Sequence, residues 1–225
     1  MTHTIAIIDY GSGNLASARK AFEHVIADHH LDMQVIISSK ADDIAAADRL
    51  VLPGQGAFGD CMNGLSSVDG MIDAMSESVL KNGTPFFGIC VGMQLLATRG
   101  LEHGAHAGLD WISGEVVPIV PSDPALKIPH MGWNTVRCTN SGAQDNCHPV
   151  LQGIINNDKS ETHFYFVHSF MMQCYEARHV LAACDYGGPI TAIVGRDNII
   201  GVQFHPEKSQ QAGLDLIAGF LTWKP

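Results

Sequence analysis

Residues 85–98 do most to limit the folds open to this chain. Residues 85–89 form a short apolar run of strand character, and 91–98 follow at helix spacing with no loop between them. A strand that feeds directly into a helix belongs to a parallel crossover unit. The joint is Gly88-Ile89-Cys90-Val91-Gly92. Glycines on both sides permit a strained turn that exposes the middle side chain. The helix N-terminus also favours a thiolate there, because unpaired N–H groups and the helix dipole face it. A buried structural cysteine is the alternative, since free cysteine is among the most buried residue types.

The same alternation fills the first half of the chain. Residues 4–9, 33–38 and 49–52 read as strands, the first ending in the turn-rich GSGN and the third in PGQG. Leu15, Ala18, Phe22, Val25 and Ile26 lie at helix spacing, and 68–81 is a second helical stretch that stops at Asn82-Gly83. The second half predicts short β runs at 115–120, 134–138, 163–169, 180–184, 191–194 and 199–204, with turn residues between them. Ser209 is placed to cap a last helix carrying Leu214, Ile217, Phe220 and Leu221. The polar stretch 139–160 reads as a surface loop around a short helix. The expected fold is α/β: a mainly parallel sheet flanked by helices, with antiparallel strands added in the second half or forming a flanking layer. With 225 residues and no linker or repeat, one domain over 1–225 is expected.

Composition excludes several classes of function. Thirteen Lys and Arg against 23 Asp and Glu leave a net charge of −10, which repels phosphate backbones and anionic lipid surfaces. No apolar run approaches the roughly 20 residues that span a membrane. The N-terminus reads as a first strand, not as a signal peptide. Six scattered cysteines without CxxC or zinc-finger spacing fit a reducing cytoplasm better than a disulfide framework.

A thiolate nucleophile needs a base, and the base an orienting group. Gly201-Val202-Gln203-Phe204-His205-Pro206-Glu207 supplies both: a strand delivers His205 at its carboxyl end, and Glu207, two residues on, lies on the same side of an extended chain. A solvated loop histidine beside a surface glutamate is the alternative. In Pro53-Gly54-Gln55-Gly56, two glycines let main-chain N–H groups point into a cleft, as half of an oxyanion hole whose other half is the N–H of Val91. An ordinary βα turn is the alternative there. No GKS or GKT follows, so it is not a phosphate loop. In α/β-hydrolases the acid precedes the histidine. Here it follows, which argues against that fold.

GICVGMQLL around Cys90 and QFHPEKS around His205 resemble the class I (triad) glutamine amidotransferases. Within that family, LPGQGAFGD at 52–60, IPHMGWN at 128–134, FYFVHS at 164–169 and the opening IDYGSGN at 8–14 are similar to the glutaminase subunits of imidazole glycerol phosphate synthases. Gln55 stands where the family has a small apolar residue; an oxyanion donor is a backbone N–H, so the chemistry survives the exchange.

The resemblance implies a flavodoxin-like sheet and a Cys90–His205–Glu207 triad that hydrolyses glutamine through a γ-glutamyl thioester. It implies an oxyanion hole at Gln55, Gly56 and Val91, with glutamine held by Gln94, the Ser169–Phe170 backbone and Glu102. It implies no metal or other cofactor. The partner it implies is a (β/α)8-barrel cyclase that receives the ammonia, docked through Asn14, Trp133, Tyr165 and Lys208. Together the two would make imidazole glycerol phosphate and AICAR in histidine biosynthesis. A glutaminase serving another synthase, and a cysteine hydrolase or peptidase on a similar sheet, are the competing expectations.

Overall fold

The computed structural model describes residues 2–139, 147–155 and 161–225. The strands of the first half are β1 (His3–Ile8), β2 (Met33–Ser38), β3 (Arg49–Gly54), β4 (Phe86–Cys90), β5 (Arg99–Gly100), β6 (His106–Ala107) and β7 (Gly114–Pro118). Those that follow are β8 (His130–Cys138), β9 (Thr162–His168), β10 (Phe170–Cys174), β11 (Val180–Asp185), β12 (Pro189–Arg196) and β13 (Ile199–Val202). The helices are α1 (Leu15–Asp28), α2 (Ala41–Ala45), α3 (Phe58–Ser67), α4 (Met71–Ser76), α5 (Val91–Gln94) and α6 (Gln210–Thr222).

Nine strands form one sheet in the order β2-β1-β3-β4-β13-β12-β11-β8-β9. Its first five are mutually parallel and reproduce the 2-1-3-4-5 order of flavodoxin-like folds, with β13 as the fifth strand. From β12 onward every pairing is antiparallel. A second sheet, β10-β7-β5-β6, supplies the expected flanking layer. Both placements foreseen for the antiparallel strands therefore occur.

Alternation along β4 shows how the sheet is covered. Phe87 stacks on Phe220 of α6, centroids 5.0 Å apart, and Phe220 meets Phe22 of α1 edge-on at 6.3 Å. Phe86 points to the opposite face, where the Trp111 ring meets it edge-on at 5.1 Å. All of these phenylalanines are fully buried. Burying each such ring stabilises the fold by roughly 2–3 kcal/mol.

Several expectations need correction. The helix after Cys90 is four residues long and does not reach 98. The carbonyls of Leu95, Leu96 and Ala97 accept from Leu109, Trp111 and Asp110, so they are spent on the following loop and not on another helical turn. The stretch expected as one helix over 68–81 starts at Met71 and ends in a π-helical turn, Glu77–Lys81. Ser209 makes no side-chain cap on α6. Its hydroxyl accepts from the Tyr165 N–H at 3.0 Å and donates to the His205 carbonyl at 2.7 Å.

Part of the expected surface loop over 139–160 lies outside the described residues. The described part holds a short 3-10 turn, Pro149–Leu151, and buries Val150, Leu151 and Ile155. Cys138 and Cys147 form a disulfide across Cα atoms 6.4 Å apart, a pairing that their scattered spacing did not announce. No described helix is long and apolar enough to cross a membrane.

Candidate active site

Strand direction assembles the site. In parallel register Gly54 of β3 lies beside Cys90 of β4, and Ile89 beside Val202 of β13. The chain leaving β3 is Gln55-Gly56, the chain leaving β4 begins α5, and the chain leaving β13 carries Gln203, Phe204 and His205. Three distant stretches thus emerge at one carboxyl edge, where sites of open α/β sheets form.

Cys90 has φ +56° and ψ −114°, a backbone region that side chains rarely adopt and that costs of order 1–3 kcal/mol. Tight packing of the elbow on β3 holds it there. A Cβ on Gly92 would stand 1.8 Å from the Leu52 carbonyl oxygen, and one on Gly54 would stand 2.7 Å from the Gly92 nitrogen. Only glycine lets these backbones approach so closely.

His205 and Cys90 line the same cavity, and on that side the sulfur favours the charged form of the ring. On the other, its Nδ1 lies 2.8 Å from Glu207 Oε1, with side chains only 4% and 3% exposed. Glu207 reaches the ring because Pro206–Lys208 forms one 3-10 turn, and not through the extended geometry expected from the sequence. Burial pushes the imidazole toward its neutral form. The hydrogen bonds and charges of Cys90 and Glu207 outweigh it and carry the ring up to about 9. The sulfur and the carboxylate together therefore favour imidazolium at neutral pH.

A cavity of about 400 Å³ opens over the sulfur. Cys90, Val91 and Gln94 line it from the elbow, and Gln55 and Gly56 from the loop after β3. Glu102, Ser169, Phe170, His205 and Lys208 complete the set expected from the sequence. The Gln55 carbonyl accepts from Ser12 Oγ at 2.7 Å and from Cys61 Sγ at 3.2 Å. In a trans peptide this turns the Gly56 N–H away from Ser12 and Cys61. The Gln55 N–H itself is bonded to Ser12 Oγ at 3.2 Å. One oxygen of Glu102 accepts the Phe58 N–H at the start of α3, 2.8 Å away, which leaves its other oxygen for a cation.

The four expected docking residues lie around this edge. Trp133 is 47% exposed and sits opposite Tyr165 across β8 and β9, rings edge-on with centroids 6.0 Å apart. Lys208 is exposed at the cavity. Asn14 is half-buried; its side chain accepts the Ser17 N–H as the cap of α1 and lines a small space beside His205 and Glu207.

Sequence reasoning missed a buried polar run that ends at the sulfur. Asn134 Nδ2 lies 3.2 Å from His130 Nε2, His130 Nδ1 lies 2.9 Å from His168 Nε2, and His168 Nδ1 lies 2.9 Å from the Phe170 carbonyl. A carbonyl only accepts, so His168 donates to it from Nδ1. His168 Nε2 must then accept from His130, and His130 from Asn134. The same carbonyl accepts from Gln94 Nε2 at 3.2 Å, and Gln94 Nε2 also donates to Gln203 Oε1 at 3.0 Å. Burial pushes both histidines down to about 4, so both rings are neutral at neutral pH. No local motif signals the pair; strand register makes it, placing His130 and His168 directly opposite each other on β8 and β9. Among the described residues no group of His, Cys, Asp and Glu is arranged to hold a metal ion.

A strained cysteine at a strand–helix elbow, in one cavity with a histidine that a buried glutamate orients, is an arrangement suited to thiol-dependent acyl transfer, here on a flavodoxin-like sheet. Residues 6–222 match the family model of the class-I glutamine amidotransferases, and the chain belongs to that family. It is 52% identical over 98% of its length to imidazole glycerol phosphate synthase subunit HisH of Brucella suis, covering 99% of that protein. To the HisH subunits of Rhodopseudomonas palustris and Bradyrhizobium diazoefficiens it is 53% and 54% identical over 99% of its length, covering all of each. In fold it is similar to a solved glutamine amidotransferase at TM-score 0.67 and 15% identity, covering 96% of both chains. A glutamine amidotransferase from Thermotoga maritima aligns at TM-score 0.58 and 13% identity, over 92% of this chain and 77% of that one.

Proposed function

We propose that this chain, as one domain, hydrolyses glutamine to glutamate and ammonia and is the glutaminase subunit of an imidazole glycerol phosphate synthase, acting in histidine biosynthesis. The observation that carries the chemistry is Cys90 and His205 together in the lining of the cavity, with the Glu207 carboxylate 2.8 Å from the far side of the ring. The synthase assignment is supported by identity above 50% to the HisH subunits over nearly the whole chain.

The Cys90 thiolate attacks the side-chain amide carbon of glutamine, and the oxyanion that forms is held by the N–H groups of Val91 and of the Gln55–Gly56 peptide. Each such donor is typically worth about 3–4 kcal/mol. The His205 imidazolium gives its proton to the departing nitrogen, ammonia leaves, and a γ-glutamyl thioester remains. His205, now neutral, takes a proton from water, whose oxygen attacks the thioester and releases glutamate and the thiolate. Glu207 holds the ring in one tautomer throughout. Gln94, Glu102 and the backbone at Ser169 and Phe170 bind the rest of the substrate.

Free ammonia is protonated in water, so it is delivered directly to a (β/α)8-barrel cyclase docked over Asn14, Trp133, Tyr165 and Lys208. This reading places the enzyme in the cytoplasm. The Cys138–Cys147 bridge runs against that placement, because disulfides persist in oxidising compartments. The test of function is a glutaminase assay on the chain alone and with the cyclase and its nucleotide ligand. Slow turnover alone and faster turnover in the complex are expected. Full activity in the lone chain counts against control by the partner, and no glutamine hydrolysis in either state defeats the reading.

A further inference from the structure

Gln203 is fully buried, and its Nε2 lies 3.8 Å from the Cys90 sulfur. Its neighbours settle which way its amide faces. Gln94 Nε2 donates into Gln203 Oε1, so that end of the amide is the acceptor and the N–H₂ end turns to the sulfur. Gln94 is held in turn by the Phe170 carbonyl. Register gives the placement: Val202 pairs with Ile89, so the next residue of the chain leaving β13 comes level with Cys90.

We propose that Gln203 is a positioning residue for Cys90, donating an N–H to the sulfur and fixing its direction beneath the cavity. The inference rests on the reading of Cys90 as the nucleophile. A single N–H to sulfur contact is long and weak in water. Here no solvent reaches the amide, so a lost donor is not replaced, and donors to an ionised acceptor are the stronger kind. With the amide in place the thiolate has the Gln203 N–H as a donor in addition to the charged His205 ring that shares its cavity. Other titratable groups face the same atom. Glu207 stands behind His205, Tyr10 and Cys61 are close enough to feel the charge on Cys90, and Glu102 and Lys208 line the cavity.

Gln203→Met tests this, since methionine keeps the length and bulk of the side chain and removes both hydrogen bonds. The readouts are the pH dependence of Cys90 alkylation by iodoacetamide, followed on the Cys90 peptide by mass spectrometry, and kcat and KM for glutamine in the complex. The alkylation midpoint should rise by about one pH unit, a tenfold loss of thiolate at a given pH. A fall in kcat with KM little changed should accompany it. A packing role alone moves neither the midpoint nor kcat, so wild-type values for both overturn the proposal. If the variant does not fold, the side-chain amide protons of Gln203 in the wild-type chain should titrate with the alkylation midpoint in NMR spectra. A flat response overturns the proposal too. Wild-type chain that hydrolyses glutamine while Cys90 resists alkylation would instead defeat the nucleophile reading on which the proposal stands.

Discussion

Glu207→Gln removes one charge from a buried pair and changes its shape very little. In the wild-type chain Glu207 Oε1 and His205 Nδ1 are 2.8 Å apart, and neither side chain is more than 4% exposed. Burial alone drives the ring toward neutrality, yet it is carried up to about 9 by Cys90 and Glu207. Measured from the ordinary 6.5, that is a preference for imidazolium of about 3 kcal/mol. The amide leaves burial in force and removes the carboxylate's part, so His205 should titrate at least about one pH unit lower.

The catalytic loss follows from the hydrogen bonds. Glu207 Oε2 is buried without a partner, so the new amide gains nothing by placing its nitrogen there. It has a free choice of presenting oxygen or nitrogen to the ring, and the tautomer is no longer held. Turnover should fall about 10²-fold, while His205→Ala, which removes the base itself, should cost about 10³–10⁴. Stability carries the same signature. A raised histidine contributes stability that is complete below pH 6.5 and is lost as pH rises through about 9. The gap in urea stability between wild type and variant should therefore narrow as pH rises from 6.5 to about 9. The assays are steady-state glutaminase kinetics in the complex and NMR titration of the His205 ring. A ring that still titrates near 9 in the variant, or a variant more damaged than His205→Ala, would refute the reasoning.

Other perturbations test other parts of the molecule. Gly92→Ala drives a methyl into the Leu52 backbone and should cost at least about 3 kcal/mol, a drop of roughly 6–12 °C in Tm by calorimetry. The neutral His130–His168 pair, with both rings pushed down to about 4, gives stability that is full above pH 6.5 and is lost as pH falls toward 4. Urea denaturation between those values should show ΔG falling by at least about 1 kcal/mol per pH unit, and a flat profile would contradict the pair's assignment. Trp133→Ala should leave the Tm of the lone chain within a few degrees but weaken cyclase binding by about 2 kcal/mol, near 30-fold in Kd by titration calorimetry.

The parallel half of the fold was legible because each strand there ends in its own turn and the elbow carries its glycines in plain view. α3 was not legible. Phe58–Ser67 contains Gly59 and Gly64, both poor helix formers. Those glycines are present because a Cβ would strike the His106 ring or the Tyr10 carbonyl. β10 escaped because only Ser169 separates it from β9, where the chain leaves one sheet for the other. In the site, Cys90, His205 and Glu207 could be read from local motifs, since each sits at an element's end. His130, His168 and Gln203 could not. Their positions follow from which strands pair and in which register, and no short stretch of sequence states that.

The covalent step is the most direct test of the whole account. The chain in complex with its cyclase would be mixed with glutamine, quenched in acid during turnover, digested and weighed peptide by peptide. The account predicts a glutamyl group on the Cys90 peptide, absent from Cys90→Ser and accumulating in His205→Asn if acylation still proceeds there. Glutamine turnover with no adduct at Cys90 under any quench time, or turnover that persists in Cys90→Ser, would contradict it.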